Sequence, residues 1–284
     1  MHINFFQEVK SDFMGRTGLA ILLCLLALAL LAPLMTHYRP EDYTGLIFQP
    51  PSARHWLGTN DVGQDVWTQL LYGARSSLLT GSGAAVLAVL FSLLIGGSAA
   101  LLGGIYDRVL MRLVDALLVI PPVIVVILVA AYLKPNLLLL IIIISVFLWP
   151  SGARIVRSQT LALKESMHVA AARSFGGGWI YVLKRHLVPE MGPVLTAIII
   201  QFARRAVFME AGLSFLGISD PALISWGKMM QNALQFTYLD VWKWWLLPPG
   251  FALSLMIMGF TFTGTALETV MNPRLRKEVH HAGD

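Results

Sequence analysis

Charges along this chain are spaced so that long apolar stretches lie between them. Thr17–Tyr38 lies between Arg16 and Arg39, Ser76–Tyr106 between Arg75 and Asp107, and Ala116–Leu133 between Asp115 and Lys134. Pro135–Ala153 follows, between Lys134 and Arg154. Met191–Ala203 is shorter but reads on through Arg204 and Arg205 to Phe208, and Trp244–Leu267 lies between Lys243 and Glu268. A helix needs about 20 mostly apolar residues to cross ~30 Å of hydrocarbon. The pattern predicts an all-α integral membrane protein with six transmembrane helices. Its spanning domain is 17–271, flanked by terminal segments 1–16 and 272–284.

Composition agrees. Hydrophobic residues make up 56% of the chain and charged ones 13%, against about 25% charged in soluble domains, which excludes an ordinary water-soluble enzyme. Cys24 is the single cysteine, so an intrachain disulfide and a Cys-based metal site are excluded. Lys10 and Arg16 before the first apolar run resemble the start of a secretory leader, but leader cores span only about 7–15 residues. Gly18–Met35 is longer, and reads as a retained span.

The 21 cations and 16 acids leave a net charge of +5, and the placement of the cations matters more than the sum. They gather before the first span, between Asp107 and Asp115, in 154–190 and after the last span. Lysine and arginine accumulate on the cytoplasmic side of membrane proteins, so both termini and the 154–190 loop are predicted to face the cytoplasm. Trp226, Trp242, Trp244 and Trp245 precede the last span, a composition expected at a membrane–water interface.

Sequence signatures of covalent chemistry are missing. None of the seven histidines has a zinc-ligand spacing, and the adjacent His280 and His281 read as a solvated tail. Gly212-Leu-Ser-Phe-Leu-Gly217 does not fit the nucleophile-elbow spacing, and no GxxxxGK[ST] loop is present to cradle a nucleotide. The reading is of a non-catalytic chain with no metal site and no nucleic-acid partner, in contact with membrane lipid.

The most informative polar segment is 154–190. Ser158–Phe175 is a good helix former with adjacent alanines at Ala170, Ala171 and Ala172, and Gly176-Gly177-Gly178 breaks it. A second short helix is predicted over Trp179–His186, stopped near Pro189. Small residues on an exposed helix let another backbone approach closely. Ala171, Ala172, Gly176 and Pro189 match the EAA motif of ABC-importer permeases, Glu-Ala-Ala-x3-Gly-x9-Ile-x-Leu-Pro. Ala170 replaces the glutamate, and His186 and Val188 replace the isoleucine and leucine.

Further segments in the same order narrow the resemblance to permeases of the dipeptide/oligopeptide/nickel import family. His55-Trp-Leu-Gly-Thr-Asn-Asp-Val-Gly-Gln-Asp65, Leu71-Tyr-Gly-Ala-Arg75-Ser-Ser-Leu78, Glu210-Ala-Gly-Leu-Ser-Phe-Leu-Gly217, Ser225-Trp-Gly227 and Asn272-Pro-Arg-Leu-Arg276 are similar to that family. Gln64 stands where the family usually has arginine, and Thr261-Phe-Thr-Gly264-Thr265 where many members have Asn-Leu-x-Gly-Asp. The resemblance implies an inner-membrane permease of the second, shorter-looped type. It implies work with a homologous permease, two cytoplasmic ATPases and an extracytoplasmic binding protein. ATP and Mg²⁺ would be held by the ATPases, with no cofactor in this chain, and Ala171, Ala172, Arg173, Gly176 and Pro189 would form the ATPase-coupling contact. The cargo would be di- or oligopeptides, or nickel or its chelates.

Arg204, Arg205 and Glu210 fall in or at the end of the fifth span. Intramembrane charges are costly and face a partner or a wet pathway, so these three are the candidate pathway residues. Arg205 and Glu210 are five apart and do not share a helical face, so partners on other helices are expected. Arg112 and Asp115, three apart, are expected to pair near the inner surface. Gly96-Gly97 and Gly103-Gly104 are expected to permit close helix packing. A self-contained ion-coupled carrier is the alternative from another class; helices broken in mid-membrane would favour it, and Pro121-Pro122 is its only support.

Overall fold

The computed structural model describes residues 12–271, except Gly45, Lys134 and Pro221. The terminal segments, including the Asn272–Arg276 motif, lie outside the described residues. Among those described, the regular secondary structure is helical, joined by loops, with a single isolated β-bridge between Thr59 and Asp65.

Helix α1 (Phe13–Met35) starts at Asp12, whose side chain accepts the Gly15 amide. Next come α2 (Val66–Leu102), α3 (Gly104–Val119), α4 (Pro122–Leu133) and α5 (Leu137–Lys164). Short helices α6 (Met167–Ser174) and α7 (Trp179–Val182) follow, then a π-helical turn at Leu183–Leu187 and α8 (Val188–Glu190). The chain ends in α9 (Gly192–Phe215), α10 (Trp226–Leu234), α11 (Trp242–Trp245) and α12 (Leu247–Met271).

Each of the six predicted spans falls on helix, but not all in the expected form. Four of the described helical stretches are long and apolar enough to cross a bilayer: Phe13–Met35, Val66–Leu102, Leu137–Lys164 and Trp242–Thr269. Gly104–Val119 with Pro122–Leu133 makes a fifth if the pair counts as one span, bent by 82°. The bend corrects the expected continuous span over Ala116–Leu133. Ile120, just before Pro121, ends α3 in an extended conformation, because a proline ring clashes with a preceding residue in the helical region. The remaining helix, α9, has 24 residues but carries Arg204, Arg205 and Glu210.

The centre is built from α2, α5 and α9, and small residues set its spacing. A Cβ on Gly96 would stand 2.3 Å from the Ala153 carbonyl oxygen, so α2 and α5 touch backbone to backbone there. Ser92 Oγ, one turn earlier, donates to the Trp149 carbonyl at 2.9 Å. Without a hydrophobic driving force between helices in lipid, such close approach and interhelical hydrogen bonding supply the association. Gly103 and Gly104 act otherwise than expected. Both hold positive φ, and a Cβ at either would meet nothing within 4 Å, so they turn the chain from α2 into α3 rather than packing helices.

Pro33 sits inside α1 and has no N–H to give the carbonyl of Ala29, four residues back. Arg75 supplies the missing donor from α2: its Nε donates to the Ala29 oxygen at 2.6 Å and its Nη2 to the Leu30 oxygen at 3.3 Å. The guanidinium also lies over the Tyr72 ring, 4.9 Å from its centroid.

Candidate functional site

The loop before α2 is organised by its own side chains. Asp65 caps α2, accepting the Thr68 amide at 2.8 Å and the Thr68 hydroxyl at 2.7 Å. Its other oxygen lies 2.9 Å from Nδ1 of His55, whose ring stacks on Tyr38. Asn60 Oδ1 accepts the amides of Val62 and Gln64. Gln64 Oε1 accepts from Asn60 Nδ2 at 2.9 Å and from Gln69 Nε2 at 2.7 Å. An arginine at 64 has only donors and could not receive either, so the departure from Gly-Arg-Asp is absorbed by a local amide network.

A second motif completes this end. Ser225-Trp-Gly227 opens α10, which inserts between α2 and α9. Trp226 is 1% exposed and donates its indole N–H to the Leu70 carbonyl at 2.9 Å. Gly227 lies so close to Ala211 that a Cβ would meet its carbonyl oxygen at 2.4 Å. Trp245 is also buried, stacked on Phe236. Two of the four tryptophans expected at the membrane–water interface are therefore core residues, because α10 and α11 fold inward over the helix ends.

Glu210 belongs to this packing. It is fully buried, accepting from Ser77 Oγ of α2 at 3.2 Å and from Ser214 Oγ at 2.8 Å. Its partners do lie partly on another helix, as expected, but they are hydroxyls, and Arg205 is not among them. Glu210 faces a buried joint between α2, α9 and the start of α10.

Arg204 and Arg205 lie on a different side of α9. Arg204 donates from Nη1 to Thr261 Oγ1 of α12 at 3.3 Å. Both arginines line a cavity with Val123, Phe208, Met209 and Ile257. Arg204 also reaches a neighbouring, more polar cavity with Gln201, Thr261 and Glu268. Gln201 and Glu268 were not among the expected site residues. Glu268 merely marks the end of an apolar run in the sequence, and nothing local ties it to a residue 67 positions earlier.

Where α3 runs along α5, the expected Arg112–Asp115 pair is replaced by interhelical ones. Asp115 takes Arg154 of α5 as its partner. Asp107 holds Arg157 with both oxygens, at 2.6 Å each. These two pairs fasten α3 along α5, and neither is available to local spacing rules.

The 154–190 segment differs from expectation in two places. The helix predicted over Ser158–Phe175 breaks after Lys164, whose ammonium donates to the carbonyls of Ala100 and Leu101 at the end of α2. Ser166 is extended, and α6 starts at Met167. Pro189 does not stop the following helix. The π-helical turn places the Val188 amide on the Leu183 carbonyl, widening the ladder just before the residue that lacks a donor. The chain stays helical through Glu190 and, after a break at Met191, enters α9.

α6 carries Ala171, Ala172 and Arg173, and Gly176 follows it with φ +85°, the left-handed conformation that ends a helix. Met167 and Phe175 stand 88% and 92% exposed, with Ala171 exposed between them. Val169 and Ala172 turn inward onto Leu101, Val182 and Leu187. Arg173 stacks on Trp179, 4.1 Å from the ring centroid, and donates to the Gly177 carbonyl. Pro189 sits apart on α8, next to Glu190, whose carboxylate holds His168 of α6 at 2.7 Å.

Comparison with known proteins reads the same way. The family described as binding-protein-dependent transport system inner membrane component matches residues 66–277, starting at the first residue of α2. A putative peptide transport system permease protein of Brucella abortus is 37% identical over 93% of this chain and 88% of its own length. The oligopeptide transport system permease protein of Bacillus subtilis is 35% identical over 94% of this chain and 88% of its own length. The dipeptide transport system permease protein of the same bacterium is 35% identical over 95% and 85%. With most of its length matched, helices and no strand beyond one isolated bridge among the described residues, and several helices fit to cross a bilayer, the chain belongs to the family of binding-protein-dependent transport system inner membrane components.

Proposed function

We propose that this chain is one of two permease subunits of an ATP-driven ABC importer for di- or oligopeptides. It crosses the inner membrane six times with both termini in the cytoplasm, and α9 supplies the span that the charges interrupt. Two cytoplasmic ATPases bind ATP with Mg²⁺ and hydrolyse it, and an extracytoplasmic binding protein delivers the cargo. The chain performs no covalent chemistry. α6 is the coupling helix, seated in a groove of one ATPase, and Arg204 and Arg205 line the pathway shared with the second permease. A carboxylate-bearing cargo suits two guanidiniums better than bare Ni²⁺ does. The peptide-system relatives point the same way, and membership of a binding-protein-dependent family speaks against a self-contained carrier.

One observation carries the coupling assignment. α6 exposes two large apolar side chains and small residues on one side, while its other side rests on the end of α2 and, through His168–Glu190, on the foot of α9. A push on α6 thus has a route into the helix that bears the arginines. The test is co-expression with a candidate second permease and ATPases, followed by uptake of labelled dialanine into proteoliposomes. Uptake should require ATP and every subunit; uptake by this chain alone would establish the carrier reading instead. In a Cys24→Ser background, Asp61→Cys should react with a membrane-impermeant thiol reagent in intact cells and Ser166→Cys should not. Labelling of Ser166→Cys from outside would overturn the orientation.

A further inference from the structure

The sequence grouped Glu210 with Arg204 and Arg205 of α9 as a candidate pathway residue. Its burial among serines removes it from that role, and Glu268 stands there instead. Gln201 donates from Nε2 to Glu268 Oε1 at 2.6 Å, and Arg204 donates from Nη1 to Thr261 Oγ1 at 3.3 Å. Between them is a cleft of about 130 Å³, with Gly264 and Thr265 completing its wall. One water needs about 10–15 Å³ of such space, so the cleft has room for several waters or for a small organic ion.

The arrangement is not that of a structural ion pair. Where this chain needs such a pair, at Asp107–Arg157, the carboxylate and guanidinium close to a double hydrogen bond of 2.6 Å. Among the described residues, Arg204 and Glu268 form no ion pair with each other or with any other group. Each is instead tethered by a neutral side chain. Arg204, in the middle of α9, would be costly facing lipid, so a wet path or a ligand is its natural environment, and Glu268 stands at the mouth of the same cleft. A simple anion would be repelled by Glu268, and a bare cation by Arg204. A group carrying both signs satisfies both walls with charge-assisted hydrogen bonds.

We propose that this cleft is a substrate-binding subsite for a small zwitterion, with Arg204 holding a carboxylate, Glu268 an ammonium, and Gln201 and Thr261 fixing the two charges. The assignment rests on the reading of α9 as pathway-lining. It adds that the permease itself recognises both free ends of its cargo.

The test uses the assembled complex in lipid nanodiscs, with a benzophenone amino acid in place of Thr265, an exposed residue of the cleft wall. The probe is tritiated dialanine. Irradiation should label this chain. Unlabelled dialanine should compete, and N-acetyl-dialanine amide, of similar size without either charge, should not. Glu268→Gln and Arg204→Gln should each lower labelling about tenfold, as expected for losing one hydrogen bond to a charge. Equal competition by the neutral analogue, or undiminished labelling in both variants, overturns the proposal without relying on how well either variant folds. Uptake by the unsubstituted complex is measured in parallel. Uptake without labelling also overturns the subsite and leaves the transport reading standing. Charge-dependent labelling without uptake supports the subsite and overturns the transport reading, and neither labelling nor uptake overturns both.

Discussion

The two ends of the helix bundle are held by different kinds of contact. At the end bearing the 36–65 loop, one set of polar side chains is buried and matched, while the indole N–H groups of Trp67, Trp244 and Trp245 and the Ser219 hydroxyl are buried without a hydrogen-bond partner. Asp65 serves His55 and Thr68, Glu210 serves Ser77 and Ser214, and Trp226 reaches Leu70 through a gap that Gly73 keeps open. At the other end, α6 rests on one small apolar cluster and the half-exposed His168–Glu190 pair. Buried polar networks hold a single geometry because any shift leaves a group unsatisfied. An exposed pair on a short helix imposes no such penalty. On the coupling role proposed for α6, the first end would act as a fixed bearing and the second as the part that is pushed.

Stability measurements on the purified protein can break that contrast, and the largest effect is expected deepest in the bearing. Trp226→Ala should cost about 3–5 kcal/mol, as large-to-small changes in packed cores do, and the yield of folded protein by size-exclusion chromatography should collapse. Arg75→Met, which leaves the Ala29 carbonyl without a donor, should cost about 1–3 kcal/mol and lower the melting temperature measured by intrinsic fluorescence. Asp65→Ala should cost about 0.5–2 kcal/mol through the lost cap alone, with Asp65→Asn close to neutral on the same scale. At the other end, His168→Gln should cost no more than about 1 kcal/mol, the ceiling for an exposed ion pair. Ala171→Arg should leave the melting temperature unchanged, yet abolish ATP-driven uptake or disconnect it from ATP hydrolysis. If His168→Gln destabilises as much as Trp226→Ala, the two ends are built alike and the contrast fails.

Much of the helix layout could be read from charge-free runs, because a bilayer imposes a length on every crossing. The glycine stop at Gly176 was legible for a similar reason: three glycines after a helix former leave few alternatives. What escaped was everything decided by partners far along the chain. Pro121-Pro122 announced a break, but the 82° bend and the pairing of Asp115 with Arg154 depend on how α3 lies along α5. Trp226 looked like an interfacial residue because composition cannot say that α10 folds inward. Glu210 and Glu268 are indistinguishable as isolated acids. Only the approach of Ser77 to one and Gln201 to the other separates a buried joint from the wall of an open cleft.

The contact between Arg75 and Pro33 has a consequence in time rather than in space. As the chain emerges from the ribosome, α1 reaches the bilayer while residue 75 has yet to be synthesised. Until then the Ala29 carbonyl has neither the backbone donor that Pro33 withholds nor the guanidinium that later replaces it, and an unsatisfied backbone group in hydrocarbon costs several kcal/mol. α1 therefore cannot settle at its final depth as an independent helix. Its completion waits for the start of α2 to arrive beside it, so the first two spans are expected to leave the insertion machinery as a pair.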